Sequence, residues 1–423
     1  MFNKIKKDIT IYAVHSYEEL QQIIRQVEGF GVRKFIKRVF ITYWVLAANI
    51  LLTIIRRLYF KSKLSHSEVK EIVVYTVGIL GDNAVILPAL ATLRWHFSTA
   101  TITIITNCQH WNPSATEGIL THSPFKDRLI ILNDHPVQRD GFQFIWDKDK
   151  YVGVGCDLFV NLSPFGNRGW LGAVLKEIVF ARFLGAHYAV GFRMSTLSRG
   201  SMFHLVQYHF VKNEPRRAAA VLEELGIKKI SEENPLPIVR EAQAAISGKL
   251  KKLGVNRPYF IINPGAKFHS KCWPLEQFGA VACYLFKKYG SVSVITGVAS
   301  EKDIADKVVA ASKRSAISLA GETTVVELIE LLRHSSGCIT NDTGTMHLAA
   351  LLNIPTVALF SARLTPAHWM PEGERIISLF TLPDCRYCYN DGCIEPICLN
   401  AIEVNSVVES LDHLISASCV LNA

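Results

Sequence analysis

From Glu71 onward the chain alternates short apolar runs rich in β-branched residues with stretches whose apolar residues recur every three or four positions. The first kind predicts buried parallel strands and the second amphipathic helices. "EIVVYTVGIL", "ALATLRWHF" and "TITIIT" read as strand, helix and strand, which is a βαβ signature. "CDLFVNLS" (156–163) is another strand, and "EPRRAAAVLEELG" after Asn213 a helix. A polar, charged connection through "KKISEENPLPIVREAQ" places a domain boundary near residues 230–257. A second series follows: strand "YFIINPG", helix "EQFGAVACYLFKKYG", strand "SVSVITG", helices "EKDIADKVVAASK" and "TVVELIELLRHS", and strand "GCITND". Its last unit is "NDTGTMHLAALLNIPTVALFS" (341–361), a polar turn, a helix with Leu348, Leu351 and Leu352 as inward positions, an end at Asn353, and a strand. Both halves therefore read as α/β, and two such domains facing each other place a ligand in the cleft outside the carboxyl ends of their strands.

Ahead of this pattern, "VFITYWVLAANILLTII" (39–55) is an apolar run bracketed by "RKFIKR" and "RRLYFKSK". It sits at the short limit for crossing a bilayer, and its flanking charges give no orientation. A helix lying in the membrane interface explains the pattern as well as a span does, and a buried helix of a globular domain is the third reading. Membrane attachment is the expectation carried forward.

Three turns of the second half hold chemistry. In "NPGAKFHSKCWP", Gly265 follows a strand and Lys271 can reach toward a ligand; alone, it is equally a surface lysine. In "TGVASEKD", Glu301 opens a helix, where its carboxylate can accept from a ribose or simply favour the helix start. In "NDTGTMH", Asp342 or Thr343 can cap the helix, while Gly344 lets a phosphate approach unpaired N–H groups. In the first half, "VGILGDNAVILPALATLR" sets Gly81, Asp82 and Asn83 between a strand and a helix. Asp82 there is either a plain cap or a carboxylate able to take a proton from an attacking hydroxyl.

Composition narrows the classes. A chain of 423 residues with 49% apolar and 20% charged residues is long enough for two or three cored domains and is not disordered. The net charge of +9 suits nucleic acid, an anionic membrane or a phosphorylated substrate. No zinc-finger spacing or aromatic-glycine RNA motif is present, so no nucleic-acid partner is expected. No cleavable secretory signal is read at Met1, where a basic start runs into "VHSYEELQQ". Cys385, Cys388, Cys393 and Cys398 fall in one stretch; four thiols could make a tetrahedral zinc site, but their spacing is not a standard paired CxxC arrangement, and free or redox-paired thiols are the other reading. "DKD" at Asp147–Asp149 looks like a metal-binding DxD but sits in a polar connection and reads as a solvated turn.

Taken in order, "GILGDNAVILPALATLR", "PGAKFHSKCWP", "GVASEKD", "LAGETTVVELIELL" and "NDTGTMHLAALLNIPTVALFS" closely resemble the lipopolysaccharide heptosyltransferase family, glycosyltransferase family 9, over about residues 70–405. The resemblance implies a GT-B architecture of two facing Rossmann-like domains with an N-terminal hydrophobic and basic helical extension. Residues 1–68 would be that extension, 69–240 the acceptor-binding domain, 250–405 the nucleotide-sugar-binding domain, and 406–423 a C-terminal helix or tail. It implies an inverting glycosyltransferase needing no metal and no cofactor, with a nucleotide-sugar donor, ADP-heptose by likeness, and a lipid-linked saccharide acceptor at the cytoplasmic face of the bacterial inner membrane. By the same likeness Asp82 is the general base, with Gly81 and Asn83 on the acceptor side. Lys271 contacts the donor phosphate, Glu301 lies near the nucleoside, Asp342 bonds the heptose, and Thr343, Gly344 and Thr345 offer N–H groups to the pyrophosphate. His347 falls on the motif histidine, which touches phosphate or packs beneath the turn. Where some heptosyltransferases carry a hydroxyl pair upstream of the motif lysine, this chain has Ala266 and Lys267, a departure that leaves a different nucleotide sugar open. A silent membrane-associated sugar-nucleotide-binding protein would keep the turns but could dispense with Asp82.

Overall fold

The structure is a computed structural model that describes residues 10–421 apart from 24–46, 108–117, 133–137, 141–142, 146–147, 164–169, 193–212, 365–367 and a few isolated positions. Its strands are β1 (Ile11–Val14), β2 (Glu71–Val77), β3 (Thr101–Asn107), β4 (Arg128–Leu132), β5 (Gln138–Asp140), β6 (Gln143–Ile145), β7 (Leu158–Asn161), β8 (Tyr188–Val190), β9 (Phe260–Asn263), β10 (Ser293–Ile295), β11 (Ala316–Ser318), β12 (Gly337–Asn341), β13 (Thr356–Phe360) and β14 (Ile376–Thr381). The chain divides into two compact units, one of residues 25–237 and one formed by residues 1–24 together with 238–423.

In the unit 25–237 a five-stranded sheet runs β4-β3-β2-β7-β8 with every pairing parallel. Its β-branched runs are buried as strands covered on both faces must be: Ile72, Val73, Val74, Ile102 and Ile104 are inaccessible. The chain steps outward from β2 through β3 to β4 and then returns to β7 and β8 on the other side. The order reverses between β2 and β7, and ligands of open α/β sheets bind outside the carboxyl ends at such a point. The turn and short helix that follow β2 carry Asp82.

The other unit has a seven-stranded sheet in the order β1-β14-β13-β12-β9-β10-β11, with β9 to β14 parallel and β1 antiparallel on β14. Here the reversal falls between β9 and β12, whose following loops carry Lys271 and Asp342. The core packs Phe260, Ile262, Ile339, Val357 and Leu359 of the sheet against Phe278, Val281 and Leu285 of the helix Leu275–Tyr289 and against Val407, Leu411 and Leu414 of the C-terminal helix Val404–Leu421. Part of the stretch read as a polar connection is the helix Arg240–Lys252, whose Ala242, Ile246 and Leu250 are buried at helical spacing.

One local expectation changes, and one stretch is described only in part. In the helix Gly344–Leu351 the buried residues are Thr345, Met346, His347, Leu348 and Ala349, whereas Leu351 and Leu352 are half-buried. A helix this short, lodged between β12 and the polar turns, is covered almost all round, so an amphipathic spacing does not describe it. Asn353 does end it, at φ 52°.

The stretch described in part is 39–55. Residues 39–46 and 48 lie outside the described residues, and the helix is described over 49–59. Leu52 and Ile55 pack into the core of the unit 25–237, while Arg56 reaches the buried carboxylate of Glu224 at 3.0 Å. Ile50, Leu51, Ile54, Leu58 and Tyr59 stay exposed on the same helix. Among the described residues no helix is long and apolar enough to cross a membrane.

Candidate active site

The loops that follow β9, β10 and β12 are tied together by two buried asparagines. Asn341, last in β12, donates from Nδ2 to the Pro264 carbonyl at 2.7 Å and accepts the Trp273 N–H on Oδ1 at 3.2 Å. Asn263, last in β9, donates to the Thr296 carbonyl at 3.0 Å and accepts from the Thr343 hydroxyl at 3.1 Å. Each asparagine thus closes a donor and an acceptor across loops distant in sequence, which a buried amide must do to avoid a desolvation cost of about 1–3 kcal/mol.

Within that frame the Lys271 ammonium meets Asp342 Oδ2 at 2.5 Å, both side chains about 15% exposed. The Thr343 hydroxyl is engaged with Asn263 and Thr340 (3.2 Å) and makes no cap on the helix it precedes. The N–H groups of Gly344 and Thr345 therefore open the helix without a side-chain cap from Thr343, at its partially positive end.

Glu301 ends the 3₁₀ turn Ala299–Glu301 and accepts the Val298 N–H on Oε2 at 2.9 Å. Burial raises its pKa, against the pull of that hydrogen bond. A Cβ on Gly265 would land on the Glu301 carboxylate, and one on Gly297 would come within 2.9 Å of it. The requirement at Gly265 is close approach: glycine leaves the room this carboxylate fills. His347 is buried and lies edge-on to Trp369, ring centroids 5.9 Å apart.

In the other unit, Asp82 lies in the short helix Leu80–Ala84 and is buried. Its Oδ2 accepts the Ile79 N–H at 2.6 Å, so the carboxylate caps its own turn. The turn passes through Gly78 at φ +147°, where a side chain would be strained and would also strike the Asp82 carboxylate. Asn83 is fully buried: it accepts from the Thr76 hydroxyl at 3.3 Å and donates to the carbonyls of Gly78 (3.3 Å) and Ile79 (3.0 Å). Its amide is committed to the turn and positions Asp82 from beneath. Gly81 lies in the same helical turn, its carbonyl accepting from Val85 N–H at 3.2 Å.

Cys385, Cys388, Cys393 and Cys398 are free thiols that line one cavity of about 150 Å³ together with Ser270, Arg363 and Arg386. Among the described residues no group of three or more His, Cys, Asp or Glu side chains is arranged to hold a metal ion. Lys148–Tyr151 forms a 3₁₀ turn carrying Asp149, while Asp147 lies outside the described residues.

Asn263 and Gly297 escaped the sequence reading, as did the bracing role of Asn341. An asparagine ending an apolar run reads only as the strand's end, although its recurrence in "IINPG" and "ITNDT" was a usable signal.

The family model for glycosyltransferase family 9 (heptosyltransferase) matches residues 173–397, more than half of the chain. The chain belongs to glycosyltransferase family 9. This family 9 glycosyltransferase is 27% identical over 305 residues to lipopolysaccharide heptosyltransferase 3 of Escherichia coli (strain K12), covering 71% of this chain and 85% of that protein. It is 30% identical over 179 residues to lipopolysaccharide heptosyltransferase 2 of the same strain, covering 39% of this chain and 51% of that protein. Among solved structures, a family 9 glycosyl transferase from Veillonella parvula DSM 2008 aligns at TM-score 0.62 and 20% identity, covering 84% of this chain and 100% of that one. The E. coli ADP-heptose LPS heptosyltransferase II aligns at TM-score 0.58 and 19% identity, covering 82% and 99%. The fold of this family 9 enzyme is accordingly GT-B.

Proposed function

We propose that this glycosyltransferase moves a heptose from ADP-heptose, with inversion, onto a lipid-linked saccharide acceptor of the lipopolysaccharide-core kind. The observation that carries the reading is the asparagine-tied turn at the β9–β12 reversal, which brings Lys271, Asp342 and the helix start at Gly344 to the carboxyl ends of the strands. Charge grows on the diphosphate as the sugar departs, and a fixed lysine with helix-terminal N–H groups stabilises it where it forms. Relatives named as lipopolysaccharide heptosyltransferases support the sugar, and a neighbour named for ADP-heptose supports the nucleotide.

In this reading Lys271 and the N–H groups of Gly344 and Thr345 bind the diphosphate, with Thr343 held by Asn263. Asp342 turns from Lys271 to the sugar hydroxyls, Glu301 meets the nucleoside, and His347 supports the turn from below. Asp82, beside Gly81 and braced by Asn83, takes the proton from the acceptor hydroxyl as that oxygen attacks the anomeric carbon. The sugar–phosphate bond breaks and ADP leaves. The exposed apolar residues of the helix 49–59, next to Arg57 and Lys61, suit contact with an anionic membrane at its cytoplasmic face.

The test is transfer from ADP-heptose to core saccharide by Asp82→Asn. Loss of a general base is expected to lower turnover about 10²- to 10⁴-fold while ADP-heptose binds as before. Near-normal turnover refutes the role of Asp82, and wild-type transfer from a different nucleotide sugar alone refutes the donor.

A further inference from the structure

We propose that Arg363 is a phosphate ligand of the nucleotide site, a cation delivered from the end of β13 to the diphosphate, with Lys267 as its companion. The inference rests on the nucleotide-sugar reading above and adds to it Arg363, which lies outside the recognised motifs, and Lys267, which stands where some heptosyltransferases carry a hydroxyl.

Charge balance makes the first argument. A sugar diphosphate carries two negative charges, whereas Lys271, once Asp342 has turned from it to the sugar, supplies a single positive charge. Two further cations stand over a single ring of the loop that carries Lys271. The Arg363 guanidinium carbon is 5.0 Å from the Phe268 centroid, and the Lys267 ammonium is 5.3 Å from it. Cations held on an aromatic ring remain charged and able to donate.

The second argument is an unused donor. Arg363 is 8% exposed, and its Nε meets no hydrogen-bond partner among the described residues. Ser270 Oγ, one residue before Lys271 and lining the same cavity as Arg363, is likewise buried without a partner. A buried guanidinium N–H left unpaired is costly, and its fork matches phosphate oxygens. Asp342 is the first of the charges that support ionisation of Arg363 against the effect of its burial, so the guanidinium lies within electrostatic reach of the Lys271–Asp342 pair.

The third argument is placement. Arg363 follows β13 as Lys271 follows β9 and Asp342 follows β12, so all three sit at carboxyl ends of neighbouring parallel strands. The loop of the four cysteines fixes it there. Tyr387 N–H donates to the Ala362 carbonyl at 2.6 Å, Tyr389 N–H donates to the Arg363 carbonyl at 3.1 Å, and Asp391 pairs with one amino nitrogen of Arg363.

Calorimetric titration of the full chain with ADP, UDP and GDP tests the assignment. Arg363→Gln is expected to bind its preferred diphosphate about 10- to 100-fold more weakly than wild type, as for loss of a hydrogen bond to a charged group, with AMP affected less. Arg363→Lys should recover part of the loss. Asp391→Asn removes the ion pair but leaves the guanidinium, and should bind as tightly as wild type or more so. Wild-type affinity in Arg363→Gln, with Lys271→Ala weakened, overturns the inference alone. Equal weakening in Asp391→Asn and Arg363→Gln also overturns it, since Arg363 would then act only by holding the loop. A wild-type chain that binds none of the three nucleotides overturns the proposed function and this inference together.

Discussion

Replacing Asn341 by Asp exchanges one amide nitrogen for oxygen in the frame that ties the loops after β9 and β12, and leaves the shape intact. The amide is inaccessible, its Oδ1 accepting from Trp273 N–H and its Nδ2 donating to the Pro264 carbonyl at 2.7 Å. An ionised carboxylate keeps the first bond but presses a second oxygen against that carbonyl. Protonated, it restores both bonds. The fold therefore holds the introduced carboxyl neutral, raising its pKa from about 3.9 by about 3 units, as burial does to carboxylates. The folded state then binds more protons than the unfolded chain between about pH 4 and 7, so stability falls as pH rises through that window, by about 1.4 kcal/mol per unit. Relative to wild type at the same pH, the variant should lose about 1–2 kcal/mol at pH 5 and about 4 kcal/mol at pH 8. At about 2–4 °C per kcal/mol for a unit of this size, the gap in Tm widens to about 8–16 °C. Calorimetric melts at pH 5, 6, 7 and 8 read it. A deficit independent of pH, or none at pH 8, refutes the argument that this amide ties the loops through its N–H.

Gly265→Ala should cost about 1–3 kcal/mol in melts because its Cβ lands on the Glu301 carboxylate. In a Glu301→Ala background the same change should cost well under 1 kcal/mol, and additive losses in the double variant refute the steric coupling. Glu177, buried and bonded to the Asn161 amide at 2.7 Å, has its pKa pushed up to about 8 by burial. Its native form therefore binds a proton the unfolded chain releases above about pH 4.5. Wild-type stability declines from there to pH 8, so Glu177→Gln should match wild type near pH 4.5 and exceed it by a few kcal/mol at pH 8, unless parallel pH–Tm curves show otherwise. Ile54→Glu combined with Leu58→Glu should reduce co-sedimentation with anionic vesicles while leaving Tm within about 2 °C, because both side chains are at least half exposed; undiminished co-sedimentation counts against this face.

The strands β2, β3, β7, β9, β10, β12 and β13 were legible as apolar runs between turn residues, and so were most of the helices between them. The strands β4, β8, β11 and β14 were not. "YAV" and "AIS" are three residues each and become strands only because β7 and β10 offer parallel partners. In the site, Asp82, Lys271, Glu301 and Asp342 could be picked out because a polar or charged residue just after an apolar run lands at a strand's carboxyl end. Nothing local marks Asn341 as the partner of Pro264, or Arg363 as a cation over Phe268, since both relations join segments far apart in sequence. The helix 49–59 shows a third kind of limit. Its apolar count was visible, but the division between Leu52 and Ile55 facing the core and Ile54 and Leu58 facing outward depends on what packs against it.

Strand β1 pairs Ile11 with Thr381 and Val14 with Ser378, so the edge of the seven-stranded sheet is supplied by a segment far earlier in the chain. During synthesis "IYAV" leaves the ribosome well before β14 and must wait for it, a delay on the order of half a minute at ordinary elongation rates. The unit 25–237 is completed in that interval, so it can fold on the ribosome before the other unit has its full sheet. Until then β1 is an unpaired strand that a chaperone or a neighbouring nascent chain can occupy. A variant lacking residues 1–68, made to test membrane release, would also strip this strand and expose β14 as an edge open to self-association. Point substitutions on the helix 49–59 avoid that confusion between detachment and aggregation.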